Sequence, residues 1–259
     1  QSGIETVIFE DGTETIPAYA CKNASSVKSV VLPDSVNIIG EGAFSGTSIS
    51  SVTIPESVNE IQSGAFSGCE QLKEIMIPDN VTTIGEECFA GCKSMEKFSL
   101  GKSVKSLGSL MLKGCELITE VTIPKTVESG YTWPSVSGGC LAESMVETVI
   151  FEEGIEKIPA NICQSASSVK NIILPVKENS SDGYTIEEYA FAGTSISTIK
   201  IPESVTSIQN NVFSECKYLE KISIPESVIF IGTECFEKCE SLEDVSLGKN
   251  VEEYGACVF

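Results

Sequence analysis

The feature that most constrains this chain is a repeat of 22–23 residues that runs through nearly all of it. Three stretches align directly: from Ile49 to Cys69, from Leu72 to Cys92 and from Leu219 to Cys239. Each reads apolar-x-x-apolar-x-Ile-Pro-acidic-x-Val-x-x-Ile, then a small residue, Phe and Cys. Cys69, Cys92 and Cys115 stand 23 residues apart, as do Cys216 and Cys239. In this register about eleven units start near Ile4, Val27, Ile49, Leu72, Met95, Ile118, Val146, Val169, Ile196, Leu219 and Leu242. A fixed period of this size means stacked units, because one unit alone cannot bury its apolar face.

A longer symmetry lies above the short one. The segment from Ile4 resembles that from Val146, Ala24 onward resembles Ala166 onward, and Gly46 onward resembles Gly193 onward. Units one to five therefore recur as units seven to eleven. We read residues 1–259 as one solenoid: a block at 4–116, an irregular unit at 117–144 and a duplicated block at 145–259.

Within a unit, Leu72, Ile75 and Ile77 point inward while Glu74 and Met76 point outward. The last four alternate with the period of two that marks a strand. Pro78 then ends the strand, since proline cannot donate to a ladder. Units one, five, seven and eleven turn instead at Gly12, Gly101, Gly154 and Gly248. The second half, with Val81, Ile84 and Phe89 as its apolar positions, is too short and interrupted for a regular helix. It predicts extended segments and tight turns. Consecutive coils run the same way, so the strands form one parallel sheet. Stacked about 4.8 Å apart, eleven rungs give a rod or arc of about 50 Å.

The Ile-Pro-(Asp/Glu)-x-Val-x-x-Ile-Gly-x-x-(Ala/Cys)-Phe-x-x-Cys rhythm resembles the BspA-like class of leucine-rich repeats, over essentially the whole chain. It departs from the better-known repeat type, which carries an asparagine ladder after the strand. The resemblance implies a right-handed leucine-rich-repeat coil with one parallel sheet on one face and extended or turn segments on the other. It also implies a surface or secreted protein that adheres to other molecules, since members of the class are typically extracellular or at the cell surface.

Composition narrows the chemistry. The formal charge is −20, and all 17 basic residues are lysine; arginine and histidine are absent. Histidine is the usual acid–base group near neutral pH, and arginine the usual clamp for phosphate. Without them, an acidic chain is poorly suited to nucleic acid, anionic membrane or catalysis. No nucleophile motif of the G-x-S-x-G or S-x-x-K kind stands in the right context. No apolar run is long enough to span a bilayer, and no charged-then-apolar leader opens the sequence. We expect no enzyme, no cofactor and a monomer.

Several residue groups look chemical. The eleven cysteines include the pairs Cys88/Cys92 and Cys235/Cys239, and neighbouring rungs bring Cys69 and Cys92 within reach of a disulfide. Yet they recur at core positions, and Cys21 and Cys163 replace the phenylalanine of their units. With no histidine and no paired C-x-x-C they read as buried free thiols, not as zinc ligands. Asp34, Glu56, Asp79, Glu203 and Glu226 follow the strand-ending proline. A stacked acid row suits calcium, but Lys102, Lys125 and Lys249 interrupt it, so these read as solvated turn residues.

The outward row of the sheet carries the binding expectation. It reads Ile8, Val31, Thr53, Met76, Ser99, Thr122, Ile150, Ile173, Lys200, Ser223 and Ser246. Ile8 with Val31, and Ile150 with Ile173, form apolar pairs at matching places in the two blocks. Exposed apolar surface is where partners dock, although β-propensity alone also places such residues on a sheet. Flanking positions such as Thr6, Ser29, Glu74, Asn171 and Lys221 supply a polar rim. In unit six, Tyr131 and Trp133 fit either an interface anchor or the filling of a core that lacks its phenylalanine. Residues 176–184 read as a surface loop. The expected function is binding of a protein or glycan ligand through the sheet face, with Ile8, Val31, Thr53, Met76, Ile150, Ile173, Lys200, Tyr131 and Trp133 as candidate contacts. The alternative is a spacer that projects another domain, which the short final unit motivates.

Overall fold

A computed structural model describes residues 3–130, 138–177 and 183–259. Among them there is no helix; the chain is a parallel β-solenoid. Each unit contributes a front strand before its proline or glycine turn. These are Thr6–Ile8, Ser29–Val31, Glu74–Met76, Lys97–Ser99, Glu120–Ile123, Thr148–Phe151, Asn171–Ile173, Thr198–Lys200, Lys221–Ser223 and Asp244–Ser246. Unit three joins them through a single parallel bridge from Ser51 to Glu74. Pairing is in register one unit apart, as in Thr6 with Ser29 and Lys221 with Asp244.

The front ladder is interrupted. Its strands pair in groups of two, two, three and three. One three-stranded group crosses the irregular unit, where Glu120 pairs with Thr148, and Thr148 in turn with Asn171.

The opposite side is more regular than its broken apolar pattern predicts. The Val-x-x-Ile segments pair into a second, narrow parallel ladder. Six strands from Thr15–Ile16 to Ser129–Gly130 form one part, and five from Lys157–Ile158 to Glu253–Tyr254 form the other. Most back strands bury their last residue: Ile16, Ile39, Ile61, Ile84, Leu107, Ile158 and Ile231 are almost or wholly inaccessible, while Tyr254 in the final rung is exposed.

Between the ladders lies a continuous core. Inward front residues such as Val30, Ile75, Val121, Val149, Ile172 and Ile222 face the back-strand isoleucines. The phenylalanines stack along the axis, with ring centroids 5.4 Å apart for Phe44–Phe66 and 5.7 Å for Phe66–Phe89. The second block repeats this with Phe191, Phe213 and Phe236 at 5.8 and 5.5 Å. Full burial of each such side chain contributes about 1.5–3 kcal/mol.

Two turns flank each of these stacked phenylalanines, and each places a residue in the left-handed backbone region. Gly42 and Gly46 (φ +55° and +69°) or Gly64 and Gly68 (+61° and +72°) hold these positions where glycine is available. Elsewhere Glu87, Leu110, Tyr189, Asn211 and Glu234 hold the first, and Asn23, Ser165, Glu215 and Lys238 hold the second. The main chain is tied from rung to rung there. Phe44 N–H donates to Ala65 O at 2.8 Å, and Phe66 N–H to Cys88 O at 2.9 Å.

Candidate binding surface

The front strands alternate, so every second side chain leaves the core. In Thr6–Ile8, Ser29–Val31, Glu74–Met76 and Asn171–Ile173 the outer residues are exposed while the middle one is covered. Ile8 is 69% exposed, Val31 49%, Met76 74% and Ile173 51%. Thr53 and Lys200 are exposed on the same row. Ile150 is half-buried. The apolar pair in the second block is therefore less open than Ile8 with Val31. Tyr131 and Trp133 lie outside the described residues.

The face is grooved. A depression of about 840 Å³ runs over units eight to eleven, between Asn171, Ile173, Lys200, Lys221, Ser223 and Asp244. A smaller one of about 580 Å³ lies over units three and four, around Thr53, Glu74 and Met76. Polar side chains on this face are tied across rungs. Asn171 Nδ2 donates to Thr148 Oγ1 at 3.3 Å, Ser246 Oγ to Ser223 Oγ at 2.9 Å, and Lys97 pairs with Glu74 at 3.6 Å.

The exposed apolar residues outside the row expected from the sequence include Leu117 and Met145, at 49% and 50%. They lie in successive rungs, since Thr119 O accepts both Glu147 N–H and Thr148 N–H. The signal was present: they precede the core residues Ile118 and Val146 at a position where most other units carry serine.

The residues that looked chemical are accounted for by the stack. All eleven cysteines are free thiols; nine are buried, Cys239 is partly buried and Cys257 is exposed. The unit-ending thiols donate to the phenylalanine carbonyl one rung back: Cys69 to Phe44, Cys92 to Phe66, Cys115 to Phe89, and Cys216 to Phe191, at 3.2–3.3 Å. Burial pushes the thiols up, to about 11 for Cys69 and Cys216 and about 12 for Cys115, Cys140 and Cys239. They are poor nucleophiles, since the thiolate is the reactive form.

The acids after the proline serve the next rung. Asp79 Oδ1 accepts the Lys102 N–H at 3.0 Å, and Lys102 Nζ lies 3.4 Å from its other oxygen. That main-chain donor and the adjacent ammonium hold the Asp79 carboxyl below its ordinary value. Glu203 accepts the Ser227 N–H at 3.2 Å, and Glu226 pairs with Lys249 at 3.0 Å. Two of the three lysines that seemed to interrupt the acid row, Lys102 and Lys249, are thus partners of its members. A further polar ladder occupies the next position, although the sequence promised none of asparagine alone. Ser57, Thr126 and Ser227 Oγ donate to carbonyls one rung back, and so do the Asn80 and Asn250 amides.

A family model described as BspA type leucine rich repeat region (6 copies) matches residues 14–133 and again 134–259. No curated protein matches the chain. Among solved structures, a leucine-rich repeat protein from Bacteroides ovatus superposes with a TM-score of 0.61 at 23% identity, covering 98% of this chain and 63% of that one. The chain thus spans less than two thirds of that protein. A leucine-rich repeat protein from Eubacterium ventriosum gives 0.53 at 21% identity, covering 91% and 76%. The leucine-rich repeat protein of T. pallidum gives 0.51 at 21%, covering 74% and 77%. At these identities the likeness concerns the fold.

Proposed function

The chain belongs to the BspA-type leucine-rich repeat family, and from that premise we propose that it is a non-catalytic binding module whose front sheet face docks a protein or glycan outside the cell. One observation carries the reading: Ile8, Val31, Met76 and Ile173 stand exposed on a single sheet face whose alternate residues are buried. Aligned apolar side chains on a grooved face are the usual mark of an interaction site. The extracellular or cell-surface setting rests on the character of the family. The chain acts as a monomer in this reading, since a formal charge of −20 opposes self-association.

The test is a screen of the folded chain on arrays of extracellular-matrix proteins and glycans. It is repeated with Ile8, Val31, Ile150 and Ile173 all replaced by Asp. Loss of the retained ligand by about tenfold or more, with an unchanged melting temperature, supports the front face. Undiminished binding by the folded variant would move the site elsewhere.

A further inference from the structure

The two blocks share their leading apolar strands but not the charges that follow. Aligned through the duplication, Thr53 corresponds to Lys200, Glu74 to Lys221 and Lys97 to Asp244. The order of charge along the face is therefore inverted between blocks. In the first block Glu74 and Lys97 pair at 3.6 Å and neutralise one another. In the second, among the described residues, neither Lys200 nor Lys221 has a carboxylate within ion-pair distance, although both are exposed. Elsewhere many lysines pair from rung to rung, as in Lys28–Glu5, Lys93–Glu70, Lys170–Glu147 and Lys249–Glu226. Two lysines without an ion pair thus line one groove of a strongly acidic molecule.

We infer that the groove over the second block takes an acidic peptide segment of a protein partner, with carboxylates on two alternate residues meeting Lys200 and Lys221. This rests on the reading of the front face as the docking surface and names the chemistry of what docks. In the register, Thr198 lies beside Lys221 and Lys200 beside Ser223. The two lysines are thus diagonal neighbours, about 7–8 Å apart at their backbones. Alternate side chains of an extended peptide are about 6.6 Å apart on one face, which matches that diagonal. Asn171, Thr198 and Ser223 line the same groove and offer hydrogen bonds to a peptide main chain, and exposed Ile173 offers an apolar contact at its end. None of the described residues lining it is aromatic, so it lacks the flat ring on which a sugar stacks. Asp244, which lies beside Lys221 in the register, and Glu203 also line the groove and oppose a longer run of acid.

The probe is a fluorescein-labelled peptide, Leu-Ser-Glu-Thr-Glu-Ser-Gly-Ser, titrated with the whole chain at low salt and followed by anisotropy. Saturable binding is expected, weakened about tenfold or more by the double substitution Lys200→Gln/Lys221→Gln and by added salt. It should be unchanged by Lys125→Gln/Lys157→Gln, which removes two lysines from a different edge. A peptide with glutamine for both glutamates should not bind. No saturable binding, or binding indifferent to Lys200 and Lys221, overturns the proposal. So does preferential retention of a sulfated oligosaccharide with the same lysine dependence, which would make the partner a sugar. If the peptide fails while the aspartate-substituted face still loses its array ligand, the docking reading stands and only the acidic-peptide assignment falls.

Discussion

Cys92 has no accessible surface and donates its thiol proton to the Phe66 carbonyl at 3.3 Å. It fills the core as a small apolar group and also satisfies a main-chain acceptor at a buried turn. The same holds at Cys69, Cys115 and Cys216. An ordinary thiol ionises near pH 8.5. Burial raises that value in the folded chain, to about 11 or 12 at several sites. Below the ordinary value both states are protonated, and the thiols add no pH dependence. Above it the unfolded chain releases protons that the folded chain keeps, so stability falls as pH rises. Each buried thiol removes about 1.4 kcal/mol per pH unit between its unfolded and folded values. Under reducing conditions, urea midpoints followed by circular dichroism should therefore drop steeply from pH 9 toward pH 11. Cys257→Ser, at an exposed position, should leave that drop unchanged. A flat midpoint across this range would mean that the thiols are not buried as described.

At the scale of the rung, glycine has two separate roles that one letter hides. Gly64 has φ +61°, and a methyl group there meets only the Ser67 Cβ at 3.8 Å. Gly85 has ordinary backbone angles, but a methyl group would stand 2.3 Å from the Ser63 nitrogen of the preceding rung. Gly64→Ala should cost about 1–2 kcal/mol through backbone strain alone, and Gly64→Asn should recover part of it, since asparagine tolerates that region. Gly85→Ala should destabilise by about 1–3 kcal/mol or more through crowding between rungs, with no recovery by asparagine. Thermal melts of the four variants check both statements; equal rescue at the two sites would contradict them. The contrast also marks what was legible beforehand. Strand, proline stop and core positions were readable because Leu72, Ile75, Ile77 and Pro78 announce themselves within one unit. The left-handed pairs were not, because Leu110 or Tyr189 at φ +56° and +55° look like any other residue. The second ladder was missed for a related reason: two-residue strands such as Thr83–Ile84 exist only through partners a whole unit away.

Across the whole molecule, the duplication gives two faces that share an apolar start and diverge in charge. The exposed row was readable from alternation, and Ile8, Val31, Met76 and Ile173 stand where that alternation puts them. The half-burial of Ile150 was not readable, since alternation alone puts it in the same row as exposed Ile173. Nor were the grooves, which arise from the stacking of side chains across several units. The central claim is that a partner docks on the front face and not on the back ladder. A photoreactive benzophenone amino acid placed at Ser223 on the front, and separately at Lys157 on the back, tests this directly with the ligand retained on the arrays. We predict a covalent adduct from Ser223 and none from Lys157. An adduct from Lys157 without one from Ser223 would contradict the account.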